Sequence, residues 1–190
     1  MSPQTEREKI EAMLKTCTLK RASKDSSNGE YLCESQLQVL NFDQMPQLYR
    51  QTCPTAQTKS NDALYIAPND VWYFIEFKNG QVRKADIHNK IYDSVLMLLD
   101  MKIIPDLDFA RRHMEYILVY NREKNQRLEQ SQSRDDLYGY MGRLAQQEAC
   151  FWDIGRFAGY LLKNSHTYSQ EEFREKFVEP MEKTPAGAGA

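Results

Sequence analysis

Cysteine and histidine are scarce in this chain, and neither residue is clustered. The histidines number three, and the four cysteines, which form no C-x-x-C pair, are Cys17, Cys33, Cys53 and Cys150. This spacing disfavours a zinc site and a disulfide framework alike, so we expect reduced and mostly buried thiols. The sequence also lacks a Gly-rich phosphate loop, a G-x-S-x-G motif and an H-E-x-x-H motif. Any catalytic site must therefore be sought elsewhere.

Long apolar runs and a strong charge imbalance are also missing. No apolar run approaches the roughly 20 residues needed to span a bilayer, and the N-terminus is polar and charged. We therefore expect no signal peptide, no membrane helix or membrane partner, and a cytoplasmic location. The formal net charge is −2, so global charge does not predict a nucleic-acid partner, which would need a local feature.

The composition indicates one substantial core. The chain has 190 residues, of which 41% are hydrophobic and 11% aromatic, enough for one domain with a small annex. We predict an α/β core with an N-terminal helix over 1–120, a polar linker over 121–134, a helical extension packing on the core over 135–179, and a disordered tail over 180–190.

Residues 60–80 read as a β-hairpin with acids on its inner face. The two arms are β-branched and aromatic, and the sequence Pro-Asn-Asp at 68–70 provides the turn between them. Because side chains alternate along a strand, one face of the second arm carries Trp72, Phe74, Glu76 and Lys78. If Ala67 pairs with Val71, the register places Asp62 directly opposite Glu76. Two carboxylates and an ammonium then converge.

This convergence calls for a compensating charge. Like charges facing each other in a sheet cost roughly 0.2–1 kcal/mol, and burying them costs more unless a cation or proton compensates. A divalent metal would resolve the conflict. Mg²⁺ is usually held by one or two carboxylates, several waters and substrate phosphate oxygens.

Around the hairpin, the patterns predict a mixed sheet of four or more strands with helices. A helix over 84–101 carries a core stripe of Ile87, Ile91, Val95 and Leu98 and a polar flank of Lys84, His88 and Tyr92. That flank would overlook the acids of the hairpin. A buried strand over 113–120 follows, which implies a right-handed parallel crossover.

The sequence before the hairpin gives weaker secondary-structure signals. Ser2 and Pro3 read as the start of a helix whose buried face holds Ile10, Met13, Leu14 and Cys17. An exposed loop is expected over 23–30 and a short helix over 47–51. Residues 31–41 fit either a strand or a helix.

The C-terminal third is predicted to be helical over 135–163, with a break near Phe151 or Trp152. Its aromatic side chains would form a protein interface or pack on the domain; they are Tyr138, Tyr140, Phe151, Trp152, Phe157 and Tyr160. A capping box from Ser169 to Glu172 begins a last helix, which is expected to end near Val178.

Asp62, a hydrophobic hairpin and Glu76-Phe77-Lys78 at the end of its second strand together resemble the PD-(D/E)XK nuclease superfamily, which has the restriction-endonuclease-like fold. The resemblance covers roughly 31–120. It implies that Asp62 and Glu76 bind Mg²⁺ or Mn²⁺ and that Lys78 orients or activates the attacking water. Many members add an acid from a preceding helix, for which Glu34 is the better match and Glu30 the weaker.

The chain departs from that pattern at two positions. Asn61, not proline, precedes Asp62, and His88-x-x-x-Tyr92 stands where one branch has Gln-x-x-x-Tyr. By the resemblance, His88, Tyr92 and Lys84 would contact phosphates of the substrate. The purely structural alternatives are a solvated His88, a Tyr92 that packs in the core, and a surface ion pair between Glu76 and Lys78.

Two functions follow from these observations. The first is a metal-dependent nuclease that hydrolyses phosphodiester bonds in DNA or RNA. The second is a catalytically inactive nuclease-fold interaction protein, such as an immunity or regulatory partner, which would bind a protein through its C-terminal helices. The acidic pI without a basic stripe and the aromatic C-terminal third support this alternative, and folds host many functions.

Overall fold

A six-stranded mixed open sheet forms the centre of the fold, with the strands in sequence order. The computed structural model describes residues 5–125 and 151–184. The strands are β1 (Thr16–Thr18), β2 (Gln38–Asn41), β3 (Ala63–Ile66), β4 (Trp72–Lys78), β5 (Met114–Tyr120) and β6 (Asn164–Ser169). Strands β1 to β4 pair antiparallel, and β4, β5 and β6 pair parallel. The predicted mixed sheet and the parallel crossover after β4 are confirmed.

Helices cover this sheet. They are α1 (Glu6–Met13), α2 (Leu19–Ala22), α3 (Met45–Thr52), α4 (Lys84–Asp100) and α5 (Leu107–His113), with a 3₁₀ turn at Phe42–Gln44. The predictions for α3 and α4 are confirmed to within a few residues. Among the described residues, no helix is both long and apolar enough to cross a membrane.

The N-terminal helix is shorter than predicted. Thr5 caps α1 through a capping box with Glu8, and the helix ends at Met13. Cys17 therefore does not extend the helical face and lies instead in β1. Its two neighbours are threonines, whose branched side chains favour strands over helices. Ser2 and Pro3 lie outside the described residues.

The β3–β4 hairpin has the predicted register. The Ala67 N–H donates to the Val71 carbonyl at 2.9 Å, and Ala63 lies opposite Ile75. One further step along this register sets Asp62 opposite Glu76. The turn places Asp70 at a φ of 59°, a left-handed conformation that aspartate tolerates better than most residues.

The sheet separates two apolar cores. Phe74, Trp72 and Tyr116 face α1, α3 and α4, while Ile75, Phe77 and their neighbours face the C-terminal helix. Glu76 shares the face of Phe74 because side chains alternate along β4. An acid is thus placed in the layer between the sheet and α4.

The C-terminal region differs from the predicted helical extension. Residues 151–157 form a kinked 3₁₀ segment in which Trp152 and Asp153 have φ values of 57° and 58°. Residues 164–169 form the edge strand β6, which is polar along its length and therefore gives no hydrophobic alternation to read. Tyr138 and Tyr140 lie outside the described residues.

The last helix begins as predicted and ends later. The capping box between Ser169 and Glu172 is confirmed. The helix continues through three consecutive pieces, Gln170–Phe173, Arg174–Val178 and Glu179–Lys183. The prediction of disorder is thus wrong for 180–183, and 185–190 lie outside the described residues. In the expected linker, 122–125 are helical.

Candidate functional site

Three of the residues predicted to form the site meet at the open end of the hairpin. Glu76 is completely buried, and its Oε1 lies 2.7 Å from Lys78 Nζ. Asp62 lies across from them, and its Oδ2 accepts the backbone N–H of Phe77 at 2.7 Å. The period of two in β4 and the hairpin register together bring Asp62, Glu76 and Lys78 to one side of the sheet, as predicted.

A second lysine, which the sequence analysis missed, joins the two acids. Lys90 Nζ, reaching down from α4, donates to Glu76 Oε1 and Oε2 at 2.7 and 2.8 Å and to Asp62 Oδ1 at 3.2 Å. We call Asp62, Glu76, Lys78 and Lys90 the acid–lysine cluster. Its two carboxylates and two ammonium groups balance in formal charge. The clash expected between two bare carboxylates is therefore relieved within the chain itself.

Burial dominates the electrostatics of Glu76. Desolvation, followed by the negative charge of Asp62, raises the pKa of Glu76 to about 7, although both lysines act in the opposite direction. Burial lowers the pKa of Lys90, but Asp62 and Glu76 outweigh it and raise that pKa above its ordinary value. Lys90 therefore stays charged at neutral pH, and its attraction to the two acids holds it in the cluster.

Asp43 is a third acid at this end of the sheet. It lies in the 3₁₀ turn after β2, where the neighbouring Phe42 N–H donates to the Asp62 carbonyl at 3.2 Å. Partial burial and then the charge of Asp62 raise the pKa of Asp43 to about 6. Much of the Asp43 surface is exposed to water, which screens the interaction between the two charges.

Hydrogen bonds and an ion pair join the segment before β3 to α4, and these contacts position Asp62. The Lys59 N–H donates to Asp93 Oδ2 and its Nζ to Asp86 Oδ1, both at 2.8 Å. The Asn61 backbone N–H and side-chain Nδ2 both donate to Ser94 Oγ, at 3.3 and 3.0 Å. The face of α4 that overlooks the acids therefore runs through residues 86, 90, 93 and 94.

The other predicted metal ligand lies elsewhere. Glu34 is 71% exposed, and its carboxylate pairs with Lys20 Nζ at 2.6 Å. The weaker candidate, Glu30, accepts Asn79 Nδ2 at 2.7 Å and Lys124 Nζ at 3.1 Å. Neither glutamate is brought to the acid–lysine cluster.

The predicted substrate-binding flank of α4 contacts the C-terminal segment instead. Lys84 Nζ pairs with Asp153 at 2.9 Å, and His88 Nε2 lies 3.1 Å from the Trp152 carbonyl. The rings of His88 and Tyr92 both meet Phe157 edge-on, at centroid distances of 4.9 and 5.2 Å. This flank thus packs against 151–157 rather than overlooking the acids.

Three of the C-terminal aromatic residues also pack on the domain. Tyr120 meets Phe151 at 5.9 Å and Trp152 at 5.2 Å between ring centroids. Phe157 is buried against α4, whereas Tyr160 is 58% exposed. The packing interpretation therefore holds for Phe151, Trp152 and Phe157.

The donor set of the cluster suits a hydrated divalent cation. Asp62 and Glu76 offer only carboxylate oxygens, and Mg²⁺ needs just one or two of these with waters. Within 5–125 and 151–184, no three His, Cys, Asp or Glu side chains are grouped to hold a metal. The buried Tyr116 hydroxyl has no partner among these residues; its pKa is raised by burial and by the charges of Glu76 and Asp62. The two carboxylates therefore fit a hydrated Mg²⁺ or Mn²⁺ if Lys90 moves away from them.

Comparison with known proteins adds no further constraint. No protein-family model matches the chain, and neither a curated protein nor a solved structure matches it. The geometry of the acid–lysine cluster and its position in the sheet are therefore the features from which a function can be inferred.

Proposed function

We propose that the chain is a metal-dependent nuclease of the PD-(D/E)XK type that hydrolyses phosphodiester bonds in DNA or RNA. One observation carries the proposal: the carboxylates of Asp62 and Glu76 both contact a single cationic nitrogen, at 3.2 and 2.7 Å, with Lys78 beside them. Two acids that share one cation and a neighbouring lysine are the groups that metal-assisted hydrolysis requires.

The order of elements supports a restriction-endonuclease-like fold. An antiparallel hairpin, β3–β4, carries the acids, α4 covers them, and β5 returns parallel to β4. This is the succession that the sequence resemblance implies. The fold alone does not establish catalysis, since related folds host unrelated functions, and the proposal rests on the side chains.

Each residue of the cluster has a distinct role in the proposal. Asp62 and Glu76 would hold Mg²⁺ or Mn²⁺, which when bound polarises the scissile phosphate and lowers the pKa of a bound water. Lys78 is 27% exposed at the end of β4 and is held by Glu76 at 2.7 Å. Its ammonium would orient the attacking water and offset negative charge that develops in the transition state.

Asp43 replaces Glu34 as the additional acid in this proposal. Its charge interacts with that of Asp62, and it lies just before α3, whereas Glu34 pairs with Lys20. His88, Tyr92 and Lys84 are not retained as substrate contacts, because their side chains are engaged by 151–157. The binding surface for nucleic acid therefore lies nearer to Lys78.

The test is cleavage of single- and double-stranded DNA and of RNA with Mg²⁺ or Mn²⁺. Wild type should cut at least one substrate, and chelator should stop it. Glu76→Gln and Lys78→Met should abolish cleavage, while Lys183→Met, which removes an exposed lysine paired with Glu179, should not. Equal cleavage by wild type and both site variants would identify a contaminant. Absence of cleavage across the whole panel would overturn the proposal.

The balanced charge of the cluster favours a second candidate, an inactive nuclease-fold interaction protein. Lys90 and Lys78 neutralise both acids without a metal, so the structure has no need of one. The two candidates differ in their response to Mn²⁺. A cation that binds only the folded state raises the melting temperature by mass action, whereas an inactive, lysine-neutralised cluster should show no such rise.

A further inference from the structure

Lys90 lies where a cation shared by the two acids would lie. Its Nζ is within 2.7–3.2 Å of three oxygens, two from Glu76 and one from Asp62. A divalent metal bound to the same oxygens would sit at about 2.0–2.1 Å from each in the case of Mg²⁺. The ammonium and the metal cannot both occupy this space, since they would overlap and repel each other.

The surroundings of Lys90 offer it another position. Its side chain is 17% exposed, and four flexible methylenes link the ammonium to the backbone. Asp86 and Asp93 lie four residues before and three residues after it on α4, which makes them its neighbours on the same helix face. Both are already engaged with Lys59 at the edge of the cluster. An ammonium leaving Glu76 and Asp62 thus has acids within reach.

We propose that Lys90 is the resident cation of the metal-free site and that a divalent metal binds only by displacing it toward Asp86 and Asp93. This inference rests on the proposed metal-dependent function and adds its regulation: Lys90 sets the metal affinity of the site. The site stays neutral and closed until the metal concentration is high enough to exchange with the lysine.

The first experiment is calorimetric titration of Mn²⁺ into the full chain without nucleic acid. A neighbouring charge at this range changes the proton affinity of a group by about 1–3 pKa units, so Lys90→Met should bind Mn²⁺ at least about tenfold more tightly than wild type. Lys183→Met, the matched control at an exposed lysine of the C-terminal helix that pairs with Glu179, should bind as wild type does. Equal or weaker binding by Lys90→Met than by wild type would overturn the inference while leaving the metal site intact.

The second experiment uses wild type only, so it decides the matter if Lys90→Met does not fold. Brief acetylation with acetic anhydride, followed by mass spectrometry, measures how accessible each lysine is. Adding Mn²⁺ should increase the labelling of Lys90 several-fold, relative to the 78% exposed Lys183. Binding of Mn²⁺ by wild type without a change at Lys90 would overturn the displacement. If neither wild type nor Lys90→Met takes up Mn²⁺, the proposed metal site fails and the inference fails with it.

Discussion

Asp62 Oδ2 accepts the backbone N–H of Phe77 at 2.7 Å across the hairpin. The carboxylate thereby serves as an acceptor for a ladder N–H, a role that backbone carbonyls have along the rest of β3 and β4. Its other oxygen accepts Lys90 Nζ at 3.2 Å. Asp62 is therefore a satisfied residue in the metal-free protein, held by one backbone and one side-chain donor.

The first prediction concerns Asp62→Asn. The neutral amide is a weaker acceptor and loses the charge of its pair with Lys90, so the free energy of unfolding should fall by about 1–3 kcal/mol. Urea denaturation without metal measures this change. Asp86→Asn, at an exposed pair, should cost at most about 1 kcal/mol. A variant more stable than wild type would show instead that repulsion between Asp62 and Glu76 dominates the metal-free site.

The second prediction concerns pH and Glu76. Its pKa rises from 4.5 to about 7 on folding, so between these values the folded state binds the proton more tightly than the unfolded state. Stability then decreases as pH rises through this window. Glu76→Gln cannot ionise, so its stability relative to wild type should rise from pH 4.5 to about pH 7 and level off above. Urea denaturation across this range measures the difference.

Glu115→Gln is the control for this pH series. Its stability relative to wild type should change with pH in the opposite direction. Burial raises the pKa of Glu115, but hydrogen bonds from His166 and Lys163 outweigh it and lower the pKa overall. Ionised Glu115 thus stabilises the fold above its unfolded pKa, and wild type should lose its advantage over Glu115→Gln as pH falls through the lowered value. If the stability difference between wild type and Glu76→Gln changes with pH in the same direction as that for Glu115→Gln, Lys78 and Lys90 outweigh burial in setting the pKa of Glu76.

The hairpin was predictable, whereas the rotation of α4 was not. Alternation in β4 and the turn at 68–70 determine which side chains face each other, and the observed pairing of Ala63 with Ile75 agrees with that prediction. The apolar stripe of α4, in contrast, has a polar flank on each side. The sequence pattern indicates the flank of Lys84 and His88, but the flank that overlooks the acids includes Lys90. Because lysine is rarely buried unless it is paired, periodicity alone does not identify it as part of a site.

The third prediction tests the hydrogen bonds that join the segment before β3 to α4. Ser94→Ala removes the acceptor of two donors of Asn61, a completely buried residue. Leaving these donors unpaired should cost about 1–3 kcal/mol of stability. Ser26→Ala, at an exposed serine, should change stability by no more than about 0.5 kcal/mol. If the two variants unfold at the same urea concentration, another group satisfies Asn61 and Ser94 does not position Asp62.

The last prediction separates packing from substrate binding at His88. Its Nε2 faces the Trp152 carbonyl at 3.1 Å, and a carbonyl can only accept, so this nitrogen carries the proton. Its ring also meets Phe157 edge-on. Removing a hydrogen bond of about 0.5–1.5 kcal/mol and an aromatic contact of similar size should destabilise His88→Ala by about 1–3 kcal/mol.

This loss of stability should leave function intact, because the His88 contacts hold Trp152 and Asp153 in a left-handed kink and do not reach the acid–lysine cluster. At a temperature well below melting, His88→Ala should bind a fluorescent oligonucleotide, measured by anisotropy, as tightly as wild type. Tyr160→Ala, which removes a 58% exposed ring, is the control and should alter stability by at most about 0.5 kcal/mol. A His88→Ala protein that is as stable as Tyr160→Ala but binds the oligonucleotide much more weakly would restore His88 to the phosphate-binding role that the sequence pattern indicates.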